Sequence, residues 1–244
     1  MRKLVFIDRF AESAARYRRG YAVVAIDVVR ATTTAITMAA SGRRCFPVPS
    51  MKAARLLADR LDNALLAGEQ DGIMPLSFDA NNSPTELLAR SDIERPVILL
   101  SSSGTTLCHE ASKCEVAILA CLRNYHAVAR YLTRYPAVAI IGAGTRGEFR
   151  EEDRMCCAWV AESLLDLGFA PGNRATHEII NECSRIPVDS WIGNKSAAYL
   201  KASGQEADLE FILNHVADLD ALFQLRNGEV AMSQVPLEFS AWRR

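Results

Sequence analysis

Three short apolar runs each break into a polar loop that can open a helix, and this repeated strand–loop–helix unit narrows the range of folds more than any other feature. Tyr21–Ile26 ends at Asp27 and continues as Asp27-Val28-Val29-Arg30-Ala31-Thr32-Thr33-Thr34. Val97–Leu100 runs into Ser101-Ser102-Ser103-Gly104-Thr105-Thr106, and Val138–Ile141 into Gly142-Ala143-Gly144-Thr145-Arg146-Gly147, with Glu151-Glu152-Asp153 beyond it. The first turn of a helix leaves backbone N–H groups without partners and carries the positive end of the dipole, so such loops suit an anion like phosphate. On neighbouring strands of a parallel sheet, the three loops would build one site.

The rest of the chain repeats the alternation. Strands are predicted at Lys3–Ile7, Cys45–Val48, Ala64–Ala67 and Val116–Leu119. Helices are predicted at Phe10–Arg18, Thr32–Ala40, Met51–Leu61, Thr105–Ser112, Asn124–Tyr135 and Glu151–Leu167. Ser83-Pro84-Thr85-Glu86 reads as a capping box, with Ser at the N-cap, Pro at the first helical position and Glu at the third, opening a helix over Pro84–Ala89. The near-continuous apolar run Tyr21–Ile26 implies a strand covered on both faces. The expected class is α/β: three layers, α/β/α, on a largely parallel or mixed sheet. Beyond Gly168 the pattern turns helical (Ala175–Cys183, Lys195–Lys201, Ala207–His215) and ends in a hairpin about Asn227-Gly228. A single domain over residues 1–244 is expected.

Composition excludes several classes. Charged residues make up 23% with a net charge of -1, which leaves no basic footprint for nucleic acid. No apolar run is long enough to span a bilayer, and Asp8 and Glu12 interrupt the start of the chain where a signal peptide would need its apolar core. The seven cysteines have no framework spacing, which fits a reduced, cytoplasmic setting, and the four histidines show no metal-ligand spacing. Nothing fixes the oligomeric state, and a homo-oligomer stays open.

Chemistry concentrates in the loops. Asp27 stands where a buried strand surfaces, a position for a metal ligand or a nucleophile as well as for a simple turn cap. Arg30 and the Thr32–Thr34 run add a guanidinium fork and hydroxyls that match a tetrahedral oxyanion. Glu69 follows a strand-like run, and Glu151, Glu152 and Asp153 open a helix, where acids often serve only the dipole. If they converge, Asp27, Glu69 and Asp153 supply oxygens suited to Mg²⁺. Other phosphatase chemistries fail on spacing. No cysteine is followed six positions later by arginine, Val29 stands where an Asp-x-Asp pair needs its second acid, and no Gly-x-Ser-x-Gly occurs.

At these residues the chain resembles the 2-phosphosulfolactate phosphatase family. The matching stretches are Ile26–Thr34, Ala67-Gly68-Glu69, Asn82–Glu86, Ser101–Thr105, Cys121-Leu122-Arg123-Asn124, and Gly142-Ala143-Gly144 with Glu152-Asp153. Two positions depart from the family pattern: Ser103 stands where it has Asn, and Asn81 where it has Gly. The resemblance implies an α/β fold and Mg²⁺-dependent hydrolysis of a phosphate ester on a small sulfonated hydroxy acid, whose product, sulfolactate, feeds coenzyme M synthesis. On that reading Asp27, Glu69 and Asp153 hold Mg²⁺. Arg30, Thr32, Thr33, Ser102, Gly104 and Thr105 meet the phosphoryl oxygens. Asn82, Ser83, Ser103, Arg123, Asn124 and Arg146 complete the substrate site. The rival is a non-catalytic binding protein for a small phosphorylated or sulfonated metabolite.

Overall fold

The computed structural model describes residues 2–145 and 147–234. Its main sheet has seven strands in the order β10-β9-β6-β2-β7-β1-β8. These are β1 (Lys3–Arg9), β2 (Ala22–Ile26), β6 (Val116–Ala120), β7 (Ala137–Gly142), β8 (Phe169–Pro171), β9 (Ala221–Arg226) and β10 (Glu229–Gln234). Strands β6, β2, β7, β1 and β8 run parallel, and the β9–β10 hairpin joins β6 antiparallel at one edge. The predicted hairpin is therefore present and extends the sheet. Strand β2 is central, and every residue from Ala22 to Ile26 is fully buried, as its uninterrupted apolar run requires.

A second sheet, which the sequence reading did not separate from the first, holds β3 (Cys45–Val48), β5 (Val97–Leu100) and β4 (Leu65–Gly68), all parallel. Between the two sheets lie α1 (Ala31–Ala40) and α4 (Gly104–Ala111), whose apolar side chains share one core with both. That position explains the composition of α1. A helix packed between two sheets has almost no solvent face, and residues Ala31 to Ala39 are all buried, which fits its lack of charged side chains. Helix α2 (Met51–Ala58) covers the outer face of the small sheet through Ala54, against Val48, Ile98 and Leu100.

The other face of the main sheet packs on α5 (Tyr125–Leu132), α6 (Glu151–Asp166), α7 (Arg174–Cys183), α8 (Lys195–Ala202) and α9 (Glu206–Asn214). The short helix α3 (Pro84–Leu88) begins at Ser83, whose Oγ accepts the Glu86 N–H at 3.1 Å, as the capping box predicts. The segment Ala11–Tyr17, expected to be helical, is a 3-10 helix. Among the described residues no helix is long and apolar enough to cross a membrane.

Candidate active site

The carboxyl ends of strands from both sheets converge. Asp27 follows β2, Glu69 follows β4, Ser101–Ser103 follow β5 and Thr145 lies beyond β7, and all of them line one cavity of about 450 Å³. Gly68 makes the approach of β4 and β5 possible. Its φ is +146°, and a Cβ there would lie 2.1 Å from the Leu100 carbonyl oxygen, so no side chain fits. The Glu69 N–H then donates to that same carbonyl at 3.0 Å, and the Glu69 carboxylate turns across to the next strand's loop. There it accepts from Ser102 N–H (2.8 Å), Ser102 Oγ (3.1 Å) and Gly72 N–H (2.6 Å).

Asp27 is held by its own turn. Its Oδ1 accepts the Ala31 N–H at 3.1 Å, while its backbone N–H and carbonyl both meet Thr32 Oγ1. Burial, reinforced by repulsion from Glu69 and Glu152, pushes the Asp27 carboxyl up to about 7 against the opposing effects of the Ala31 N–H and Arg30. Asp153 sits behind this turn. It is not part of the cavity wall; its Oδ1 accepts the Val28 N–H at 2.7 Å, and burial, then the charges of Asp27 and Glu152, raise it well above the ordinary carboxylate range. Glu152 is raised too, first by burial, although Asn194 Nδ2 donates to its Oε2 at 2.7 Å.

Asp27 thus feels the charges of Glu69 and Glu152, and Asp153 those of Asp27 and Glu152. Among the described residues no group of three or more His, Cys, Asp or Glu side chains is arranged to hold a metal ion unaided. The anionic groups on the cavity wall are all carboxylates, those of Asp27, Glu69 and Asp71, beside the serine-loop oxygens. That set fits a hard cation such as Mg²⁺, which takes one or two carboxylates and completes its shell with water and substrate phosphate, and it does not suit zinc. Among the described residues no histidine lines the cavity. All seven cysteines are buried, with burial pushing the Cys121 thiol up to about 11, so no thiolate nucleophile is at hand.

A model of the family described as 2-phosphosulpholactate phosphatase matches residues 9–227. The chain belongs to the 2-phosphosulfolactate phosphatase family. Three similar proteins carry the name probable 2-phosphosulfolactate phosphatase. That of Pseudothermotoga lettingae is 32% identical over 77% of this chain and 82% of its own length. That of Deinococcus radiodurans is 36% identical over 86% of each chain. That of Thermus thermophilus is 33% identical over 78% of this chain and 81% of its own. The matched span takes in every residue of the cavity wall, from Asp27 to Tyr199.

The other predicted site residues of this family member divide into two groups. Arg30, Asn82, Ser102 and Ser103 line the cavity with Asp27 and Glu69. Gly104 opens α4 immediately behind Ser103, against the Asp27 side chain. The second group braces the loops. Thr32 and Thr33 are buried, with Thr33 Oγ1 donating to the Val28 carbonyl at 2.8 Å. Thr105 Oγ1 donates to the Ser101 carbonyl at 2.7 Å, and Ser83 caps α3. Arg123 and Asn124 are not part of the cavity wall: Arg123 pairs with Asp218 (Nη2 to Oδ2, 2.6 Å) and reaches Thr37 Oγ1 at 3.0 Å, while Asn124 Oδ1 accepts the Cys121 N–H at 3.0 Å. Arg146 lies outside the described residues.

The cavity also has a wall that sequence reasoning missed. Lys195, Ser196 and Tyr199 come from α8 and Arg150 from the turn before α6. Glu148 bridges the two cations, accepting from Lys195 Nζ at 2.6 Å and Arg150 Nη1 at 2.9 Å. The one available signal was Asn194 as a helix cap, and a cap says nothing about which way the helix points.

Proposed function

We propose that this protein hydrolyses a small phosphate monoester, 2-phosphosulfolactate, to sulfolactate and phosphate, with Mg²⁺ as its cofactor. The observation that carries the reading is the two-sided cavity: Asp27 and Glu69 share it with Arg30, the serine loop and the Lys195–Arg150 pair. A phosphate ester bearing further acid groups needs both kinds of wall. On this reading the Arg30 guanidinium and the Ser103 hydroxyl take phosphoryl oxygens, and the first-turn N–H groups of α4 would meet negative charge that grows there during transfer. Lys195 and Arg150 answer the carboxylate and sulfonate of the same molecule.

Bound beside Asp27 and Glu69, Mg²⁺ would supply positive charge against the transferring phosphoryl group and the departing oxygen. Asp153, buried behind Asp27, would hold the turn that carries it by accepting the Val28 N–H. Seven buried free thiols favour a reducing, cytoplasmic setting.

The deciding measurement is phosphate release from 2-phosphosulfolactate and a panel of simple phosphomonoesters, with EDTA and then with Mg²⁺ restored. Turnover that disappears with EDTA, returns with Mg²⁺ and is highest for 2-phosphosulfolactate is expected. Tight binding of these esters without release of phosphate in either condition would overturn the reading.

A further inference from the structure

The Arg30 guanidinium does not stand alone in the cavity wall. Its Nη1 donates to Asp208 Oδ2 at 2.5 Å and also to Gln205 Oε1, both at the start of α9. The other oxygen of Asp208, Oδ1, is spoken for three times: by Ser83 Oγ at 2.7 Å, Thr85 Oγ1 at 2.6 Å and Thr85 N–H at 3.2 Å. Asp208 is 1% exposed and Arg30 3%. Among the described residues, all of the hydrogen bonds of the Arg30 side chain run through Nη1, so the edge carrying Nε and Nη2 stays open to a ligand.

An ion pair this deeply buried is weak evidence for stability, because removing both charges from water offsets most of their attraction. The geometry favours another purpose. One carboxylate joins α9, the cap of α3 and the arginine that precedes α1, three segments far apart in the chain. The residue next to that cap is Asn82, which lines the cavity, is 2% exposed, and has an Oδ1 with no hydrogen-bond partner among the described residues. A buried amide oxygen left unpaired is costly, and a cation or a hydrogen-bond donor such as water beside a bound phosphoryl group would relieve it.

We propose that Asp208 is the positioning residue of the phosphoryl site, setting Arg30 directly and Asn82 through Ser83. The assignment rests on Arg30 meeting the phosphoryl group. It makes the helical C-terminal third part of the working site. In this arrangement Asp208 touches no substrate: it fixes the rotation of the guanidinium so that Nε and Nη2 face the cavity together.

The test is a double-mutant cycle between Arg30→Ala and Asp208→Asn, read as kcat and KM for phosphate release and as inhibition by inorganic phosphate. Asp208→Asn is expected to lower kcat/KM about 30- to 100-fold and to weaken phosphate inhibition, with an unchanged circular-dichroism spectrum. In the Arg30→Ala background the same change is expected to cost less than about threefold, since the two residues act as a unit. Asp208→Glu should recover less than the full rate, because the longer side chain cannot keep both contacts. Glu210→Gln, on the exposed side of α9, serves as the control with parental kinetics.

If Asp208→Asn does not fold, Gln205→Leu removes the other Arg30 anchor and should lower kcat/KM in the same non-additive way. Parental kcat/KM in Asp208→Asn, or an equal loss with and without Arg30, would overturn the proposal. Should the parent release no phosphate from any ester, it is the function that fails. Calorimetric binding of inorganic phosphate to the same variants still decides the role of Asp208.

Discussion

Gly104 stands directly against the carboxylate of Asp27: a Cβ on Gly104 would lie 2.1 Å from Asp27 Oδ2 and 2.5 Å from the Ala31 Cβ. The first turn of α4 therefore meets the start of α1 with no room for a methyl group. Gly104→Ala must push Asp27 out of place or separate the two helices. It is expected to cost about 1–3 kcal/mol of stability and to lower kcat/KM by at least about tenfold. Urea unfolding together with phosphate release checks both, and parental values for the pair would mean that the contact is not a constraint.

Glu69 gives a different kind of prediction. Its two oxygens accept from Ser102 N–H, Ser102 Oγ and Gly72 N–H, so the carboxylate ties the β5 loop to the turn after β4. Glu69→Gln replaces one acceptor oxygen with an N–H donor facing donors. The expected loss is about 1–3 kcal/mol, together with reduced turnover that added Mg²⁺ does not restore. Thermal unfolding with and without Mg²⁺ separates the structural part of the loss from any metal-dependent part.

How much of this could be read from the sequence depended on how local the cause was. The run Tyr21–Ile26 announced a buried strand, and Ser83 announced its helix, because burial on both faces and helix capping act within a few residues. The split into two sheets was not readable. Val97–Leu100 and Val138–Ile141 have the same texture, and nothing in either says that one pairs with Cys45–Val48 and the other with Ala22–Ile26. Strand β8, Phe169–Pro171, was too short to show any period. In the site, Asp27 and Glu69 were visible as acids ending strands. Asp208 lies in a stretch that reads only as helical, and only the fold brings it to Arg30, 178 positions away in the chain.

The buried acids give a pH dependence with a definite sign. The Asp27 carboxyl sits at about 7 in the folded chain and, unfolded, at the ordinary value near ~3.9. Between those values the native state keeps a proton that the unfolded state has lost. The contribution of Asp27 to the stability of the metal-free protein is therefore greatest below about pH 4, falls as pH rises, and levels off above about pH 7. Asp153, raised by burial and by Asp27, acts in the same direction. Asp27→Asn keeps an oxygen for the Ala31 N–H but cannot ionise. In EDTA it is expected to melt above the parent at pH 8 and to lose most of that advantage at pH 5, while losing phosphatase activity. A stability advantage that is the same at both pH values would show that the charge of Asp27 is not what destabilises the metal-free fold.

Arg123 separates bracing from binding. Its guanidinium is committed to Asp218 through Nε and Nη2 and to Thr37 Oγ1 through Nη1, and it also stacks over the Phe211 ring at 5.3 Å. These contacts join the loop after β6 to α1, α9 and the segment leading into β9, all away from the cavity wall. Removing the guanidinium strands a buried threonine hydroxyl and an aspartate that is still partly in water, so the cost is that of a lost strut. Arg123→Met retains the aliphatic stem over Phe211 and is expected to lower stability by about 1–2 kcal/mol. The folded fraction should keep kcat and KM within about threefold of the parent. A KM that rose tenfold or more for 2-phosphosulfolactate, with stability unchanged, would instead place Arg123 at the substrate.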